Sequence, residues 1–174
     1  MLQHLAVYIT LGATTITIPH PMLLQISTTL PCSFEEAVKQ VKTPRLLRFV
    51  ANPLVQFTPV DPPAFPATWS TGTYWVKLKL FGLVPFGRQA VVISFPVVKN
   101  SFAVRDNGHS ALIESWDHLI TIASSEHGSY YEDRLNVSAG ALTPFVWVFA
   151  WIFYQHRQRR WRLLASRGFE YGDA

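Results

Sequence analysis

Apolar and polar side chains alternate with a period of two along much of the chain, and helical spacing replaces that alternation in a few stretches. The runs Leu5–Thr10, Thr14–Ile18 and Leu23–Leu30 are rich in β-branched residues and poor in helix formers, which predicts three strands. Ser33 then precedes Phe34-Glu35-Glu36-Ala37-Val38-Lys39-Gln40-Val41, a hydroxyl cap with acidic residues in the first turn, so a short helix is expected. Thr43-Pro44 repeats the start signal ahead of Arg45–Val50 and predicts a second. Prolines 53, 59, 62, 63 and 66 limit the stretch Asn52–Pro66 to a connector with a short edge strand around Val55–Phe57.

From Thr73 the alternation becomes regular. Tyr74, Val76, Leu78 and Leu80 interleave with Trp75, Lys77, Lys79 and Phe81, a strand with one face inward. The turn residues of Gly82–Gly87 form an apolar hairpin tip, and Arg88–Phe95 returns from it. Ser101–Arg105 is a further strand, Asp106-Asn107-Gly108 reads as a tight hairpin turn, and Ala111–Ile122 runs back. After a turn at Ser124–Gly128, Ser129–Ala139 completes a meander of about five strands.

Thr143-Pro144 is a third cap-plus-proline start. It opens a helix of roughly 23 residues, ending about Ala165 and spanning some 35 Å. Between Phe145 and Tyr154 that helix has no polar residue and is expected to be covered on every face, by a sheet curved around it with the two short helices or a partner closing the remainder. The fold class is therefore α+β: an antiparallel sheet wrapped around a long C-terminal helix, with two short helices after the first core strand.

Composition agrees with a large interior, since 49% of the 174 residues are hydrophobic, 14% are aromatic and only 15% are charged. A lone cysteine, Cys32, excludes an internal disulfide and fits a reducing, cytoplasmic setting. Residues 1–34 are uncharged, but the segment lacks a basic start and is interrupted by Thr10, Thr14, Thr15 and Thr17, which suits strands better than an export signal. The net charge of +4 is concentrated at the C-terminal end, in Arg157, Arg159, Arg160, Arg162 and Arg167. This local patch argues against a nucleic-acid interface, which needs a broader basic surface.

The order of elements, with Leu24-Gln25-Ile26-Ser27-Thr28-Thr29-Leu30-Pro31-Cys32-Ser33-Phe34-Glu35-Glu36-Ala37-Val38 leading a strand into a helix and the Thr143-Pro144 helix closing the chain, resembles the helix-grip fold of the START-like superfamily, also called SRPBCC. That superfamily includes polyketide cyclases, lipid-transfer proteins and ubiquinone-binding proteins. The likeness spans roughly residues 22–165 of one domain, with 1–21 as an extra strand or arm and 166–174 as a tail. It implies a cavity between the sheet and the last helix that holds an apolar molecule. The apolar helix and the aromatic content point to binding or transfer of a lipid, isoprenoid or polyketide, with no cofactor expected. A membrane- or partner-associated accessory protein acting through the Leu83–Phe86 tip and the basic helix end is an alternative. The residues expected to face such a guest are Tyr74, Val76, Leu78, Trp116, His118, Tyr131 and Asp133 on strands, and Phe145, Phe149, Ile152 and Phe153 on the helix.

Two residues are candidates for chemistry. Asp133 shares an alternation class with Tyr131, Leu135 and Val137, so an inward Asp133 would have its pKa raised by burial. Its plainer role is a pairing with an arginine such as Arg88 or Arg105, or a hydrogen-bonded place near the strand end. His118 shares a face with Glu114 and Trp116, and a neighbouring-strand Asp133 would give it the carboxylate that acid–base catalysis of cyclase or dehydratase type requires. The six histidines are scattered without metal-ligand spacing, so no metal is expected. The basic run with Trp161 reads as a solvated helix end, with Arg157, Arg159, Arg160 and Arg162 available to an anionic membrane surface.

Overall fold

The computed structural model describes residues 8–11, 14–17 and 21–172. The expected strand residues Leu5–Val7 and Ile18 lie outside them, as do His4 and His20. Strands β1 (Tyr8–Leu11) and β2 (Thr14–Thr17) pair with each other as a two-stranded sheet.

The remaining elements follow the order the alternation pattern implies. They are β3 (Met22–Leu30), α1 (Phe34–Val41), α2 (Pro44–Ala51), β4 (Val55–Asp61), β5 (Gly72–Leu80), β6 (Val84–Ser94), β7 (Phe102–Ser110), β8 (Ser115–Ser125), β9 (Gly128–Ser138) and α3 (Thr143–Ser166). The seven strands form one curved antiparallel sheet in the order β3-β9-β8-β7-β6-β5-β4. The short helices carry the chain from one sheet edge, β3, to the other, β4. Their caps are the expected ones: Ser33 Oγ accepts from Glu36 N and Thr43 Oγ1 from Leu46 N, each at 3.2 Å. β4 tolerates Pro59 because it is an edge strand and its register shifts between Pro59 and Asp61.

Three local expectations are corrected. Asn107-Gly108 is not a turn, for both residues lie inside β7, opposite Asp117 and Trp116. The chain reverses at Ser110–Ser115, where Ser110 N–H donates to Ile113 O at 2.8 Å and Ile113 N–H to Ser110 Oγ at 3.1 Å. Glycine is needed at 108 for close approach instead, since a Cβ there would lie 2.4 Å from Ala90 O. Thr143 is the first residue of α3, not its cap. Its hydroxyl donates to Gly140 O at 2.7 Å and accepts from Ala139 N at 3.0 Å, bracing the single 3₁₀ turn before the helix.

The third correction concerns how α3 is covered. The sheet and α2 enclose only one side of it, burying Ala150, Phe153, Tyr154, Trp161 and Leu164. On the outer side Phe145 is 75% exposed, and Val148, Trp151 and Ile152 are also exposed. The helix is fixed to β3 by Trp147 Nε1 on Leu23 O (3.1 Å), and to the end of α2 by Arg160 Nε on Phe49 O (2.9 Å). No described helix is long and apolar enough to cross a membrane.

Candidate functional site

The interior is packed unequally along α3. Around its C-terminal half, Trp161 and Leu164 join Leu30, Leu46, Val50, Val76, Ile122 and Tyr131 in a filled cluster. Around its N-terminal half the sheet and helix stand apart, and a cavity of about 340 Å³ opens between them. That volume lies at the lower end of the range of small-molecule sites, ~300–1,000 Å³.

Helical spacing explains the helix wall. Phe145, Phe149, Phe153 and Arg157 recur every fourth residue and all line the cavity, with Val146 and Tyr154 beside them. The facing wall is built by inward positions of the strands, including Val55, Phe57, Leu78, Leu80, Val91 and Trp116. Leu112, Leu142 and Phe145 line the cavity and are also solvent-exposed, which marks the mouth near the β7–β8 turn and the start of α3.

Polar atoms enter this lining at one end. His118 and Arg157 are buried there at 3% and 6% exposure, and with them stand Gln89 and Asp106. Asp106 is the cross-strand partner of His118. Between the pairs Ala90–His109 and Ile93–Asp106 the β6–β7 ladder is interrupted, and Asp106 Oδ1 accepts from Val92 N at 2.8 Å in that gap. Gln89 Nε2 and Asp106 Oδ1 both lie within 3.2 Å of the point a Cβ would occupy at Gly108, so only glycine admits both side chains.

Behind His118 lies Asp133, 1% exposed, with every oxygen engaged. Oδ1 accepts from His118 Nε2 at 2.8 Å and from the Tyr131 hydroxyl; Oδ2 accepts from Gln158 Nε2 at 3.0 Å. Arg157 Nε approaches Oδ1 only to 3.9 Å and makes no hydrogen bond. Neither arginine named from the sequence pairs with Asp133, since Arg105 forms a two-bond pair with Asp117 at 2.7 and 2.8 Å and Arg88 is exposed.

Burial and partners set the charges. Burial pushes the Asp133 carboxyl up, but His118, Arg157 and Tyr131 together outweigh it and hold the group below its ordinary value, reversing the expected rise. Burial pushes the His118 imidazole down more strongly than Asp133 lifts it, so the ring is neutral at pH 7. With Nε2–H donated to a carboxylate, Nδ1 is the ring's acceptor. For Arg157 burial works against the charge, yet Tyr131, Asp133 and Tyr154 more than compensate and the guanidinium stays charged. Burial raises Asp106 to about 7 against the opposing Val92 hydrogen bond and Arg157 charge.

Of the residues singled out from sequence, Leu78, Trp116, His118, Phe145, Phe149 and Phe153 line the cavity. Val76 and Tyr131 sit in the filled cluster, and so does Tyr74, whose hydroxyl bonds with Ser70 Oγ at 2.9 Å. Asp133 is one layer behind the lining. Ile152 lies on the uncovered side of α3, 48% exposed, because it follows Phe149 by only three residues where the wall repeats every four. Glu114 precedes β8, is exposed, and accepts from Ser138 Oγ at 2.9 Å, away from His118. Arg157 is not on a solvated end. Arg160 is tied to Phe49 and stacks on its ring at 4.3 Å, which leaves Arg159 and Arg162 as the exposed members of the expected basic patch. Among the described residues no group of three potential ligands is placed to hold a metal ion.

No protein-family model matches the sequence, and no curated protein matches it either. Solved structures do resemble it. Protein CV1439 from Chromobacterium violaceum superposes with a TM-score of 0.60 at 14% identity, covering 84% of this chain and 98% of that one. Protein Ms6760 from Mycobacterium smegmatis gives 0.56 at 14% identity, with 84% and 94% covered. The AHSA1 protein from Silicibacter pomeroyi gives 0.56 at 11% identity, with 84% and 99% covered. The chain shares the fold of these structures, the helix-grip arrangement of a curved antiparallel sheet against a long C-terminal helix.

Proposed function

We propose that the protein binds or transfers a hydrophobic small molecule in the cavity between its sheet and α3. The observation that carries this reading is an apolar void of about 340 Å³ with a solvent-exposed mouth, beside a half of the same interior where buried side chains pack into one cluster. Protein interiors are close-packed, and an enclosed gap of this size without a guest forfeits contacts along its whole lining. Phenylalanine side chains at 57, 86, 145, 149 and 153 give a guest large, weakly directional surfaces, which suits a lipid, isoprenoid or polyketide-like body. Native mass spectrometry of the protein as purified, followed by delipidation and titration with Nile red, tests the reading. A bound mass or saturable dye uptake is expected, with uptake weakened in Leu78→Trp, whose larger ring occupies part of the void. A homogeneous empty protein that takes up no dye would refute it.

A second reading, acid–base catalysis of cyclase or dehydratase type, is favoured by the 2.8 Å bond that orients His118 against Asp133 beside the cavity. On this reading His118→Gln retains dye uptake but loses conversion of a hydrophobic β-hydroxy ketone to enone and water, followed by absorbance. Wild-type protein that binds such a ketone and leaves it unchanged would remove this alternative.

A further inference from the structure

At the polar end of the cavity two buried side-chain atoms, Arg157 Nε and Gln89 Oε1, have no hydrogen-bond partner. Arg157 is only 6% exposed, yet its Nε has no hydrogen-bond partner, and its one ion pair among the described residues is the 3.9 Å approach to Asp133. A charge-assisted hydrogen bond would be about 1 Å shorter, ~2.7–2.9 Å. Asp133 already accepts from His118, Tyr131 and Gln158 and is held by them out of hydrogen-bond reach of Arg157 Nε. Gln89 Oε1 is likewise buried and unpartnered in the same lining. A buried guanidinium in this condition is costly unless something supplies oxygen atoms.

We infer that the guest carries a carboxylate and that Arg157 binds it. The inference rests on the reading of the cavity as a binding site for an apolar molecule and names the chemical class of its head. A guanidinium fork matches a carboxylate in shape and in charge, whereas an ammonium head would be repelled and a hydroxyl brings a single oxygen and no charge. Asp106 does not oppose this arrangement while it is protonated, and then it is a further donor beside the head. His118, being neutral, adds no competing charge. From Phe145 at the mouth to Arg157 is twelve residues of one helix face, ~18 Å, so a medium-length apolar tail can lie along Phe153 and Phe149 toward the opening.

Three probes with one tail test this: dodecanoate, dodecanol and dodecylamine, each displacing Nile red from the delipidated full chain at pH 6.5. Dodecanoate is expected to bind about tenfold or more tightly than dodecanol, the worth of one charge-assisted hydrogen bond, and dodecylamine most weakly. Arg157→Met should erase the preference for the acid over the alcohol. Because that variant strands Asp133, a measurement on the wild type stands beside it. The carboxyl of 1-¹³C-dodecanoate, followed by NMR, should stay ionised to lower pH when bound than when free. Equal affinity for acid and alcohol, or a bound carboxyl that protonates more readily, would overturn the carboxylate inference while leaving the apolar site standing. Failure of all three probes, and of Nile red, to bind would overturn the cavity reading itself.

Discussion

Replacing Asp133 with asparagine removes the countercharge of a buried arginine and little else. At 3.9 Å and an effective dielectric near 20, the attraction between Asp133 and Arg157 is about 4 kcal/mol. The substituted amide keeps an oxygen for His118 and Tyr131, but it turns an NH₂ toward the Gln158 amide that now donates at 3.0 Å, which adds about 1 kcal/mol. Desolvation of Arg157 is not recovered, so the expected loss is about 3–5 kcal/mol. Urea denaturation at pH 7, followed by tryptophan fluorescence, measures it directly. In an Arg157→Met background the same substitution should cost about 1–2 kcal/mol, because no charge is left stranded. The penalty should also shrink in acid: the folded-state carboxyl lies below its ordinary value, so its stabilisation is present above about pH 4 and is lost as pH falls through the folded value. A loss below about 1 kcal/mol, or an equal loss in both backgrounds, would refute the coupling of Asp133 to Arg157.

Asp106 titrates in the opposite sense. Its folded value is raised to about 7, so the fold holds a proton that the unfolded chain has released, and stability declines as pH rises through 7. Asp106→Asn, which can still accept from Val92, should match the wild type in urea near pH 4 and exceed it at pH 8; an unchanged difference across that range would contradict the assignment. Gly108→Ala should cost about 1–3 kcal/mol, since its Cβ meets Ala90 O at 2.4 Å, and should weaken dodecanoate more than dodecanol by displacing Gln89 and Asp106. Unaltered thermal unfolding of this variant would show that β6 and β7 yield at that point.

The strands, helices and order of elements were legible because each obeys a local rule. Ser33 and Thr43 cap as their sequences dictate, and Tyr131, Asp133, Leu135 and Val137 are all buried on one face of β9. Asn107-Gly108 misled because its turn chemistry is real, whereas the glycine serves the approach of β6 to β7, a non-local requirement. Arg157 was missed for a similar reason. Charge density placed it with the neighbouring arginines, although its spacing of four from Phe153 puts it on the cavity stripe. The sheet and short helices leave the apolar outer side of α3 exposed, and pattern alone cannot tell which neighbour covers a helix face. Gln89 and Asp106 gave no signal at all, since their common site exists only through cross-strand register.

The most direct measurement is a set of intermolecular nuclear Overhauser contacts between uniformly ¹³C-labelled dodecanoate and the protein. Contacts are expected from the tail to Phe149, Phe153 and Leu78, and from the methylene next to the carboxylate to His118 and the Arg157 side chain. Contacts confined to Val148, Trp151 and Ile152 on the outer side of α3 would contradict a guest held between sheet and helix, as would a saturable complex with the tail on the exposed β5–β6 tip.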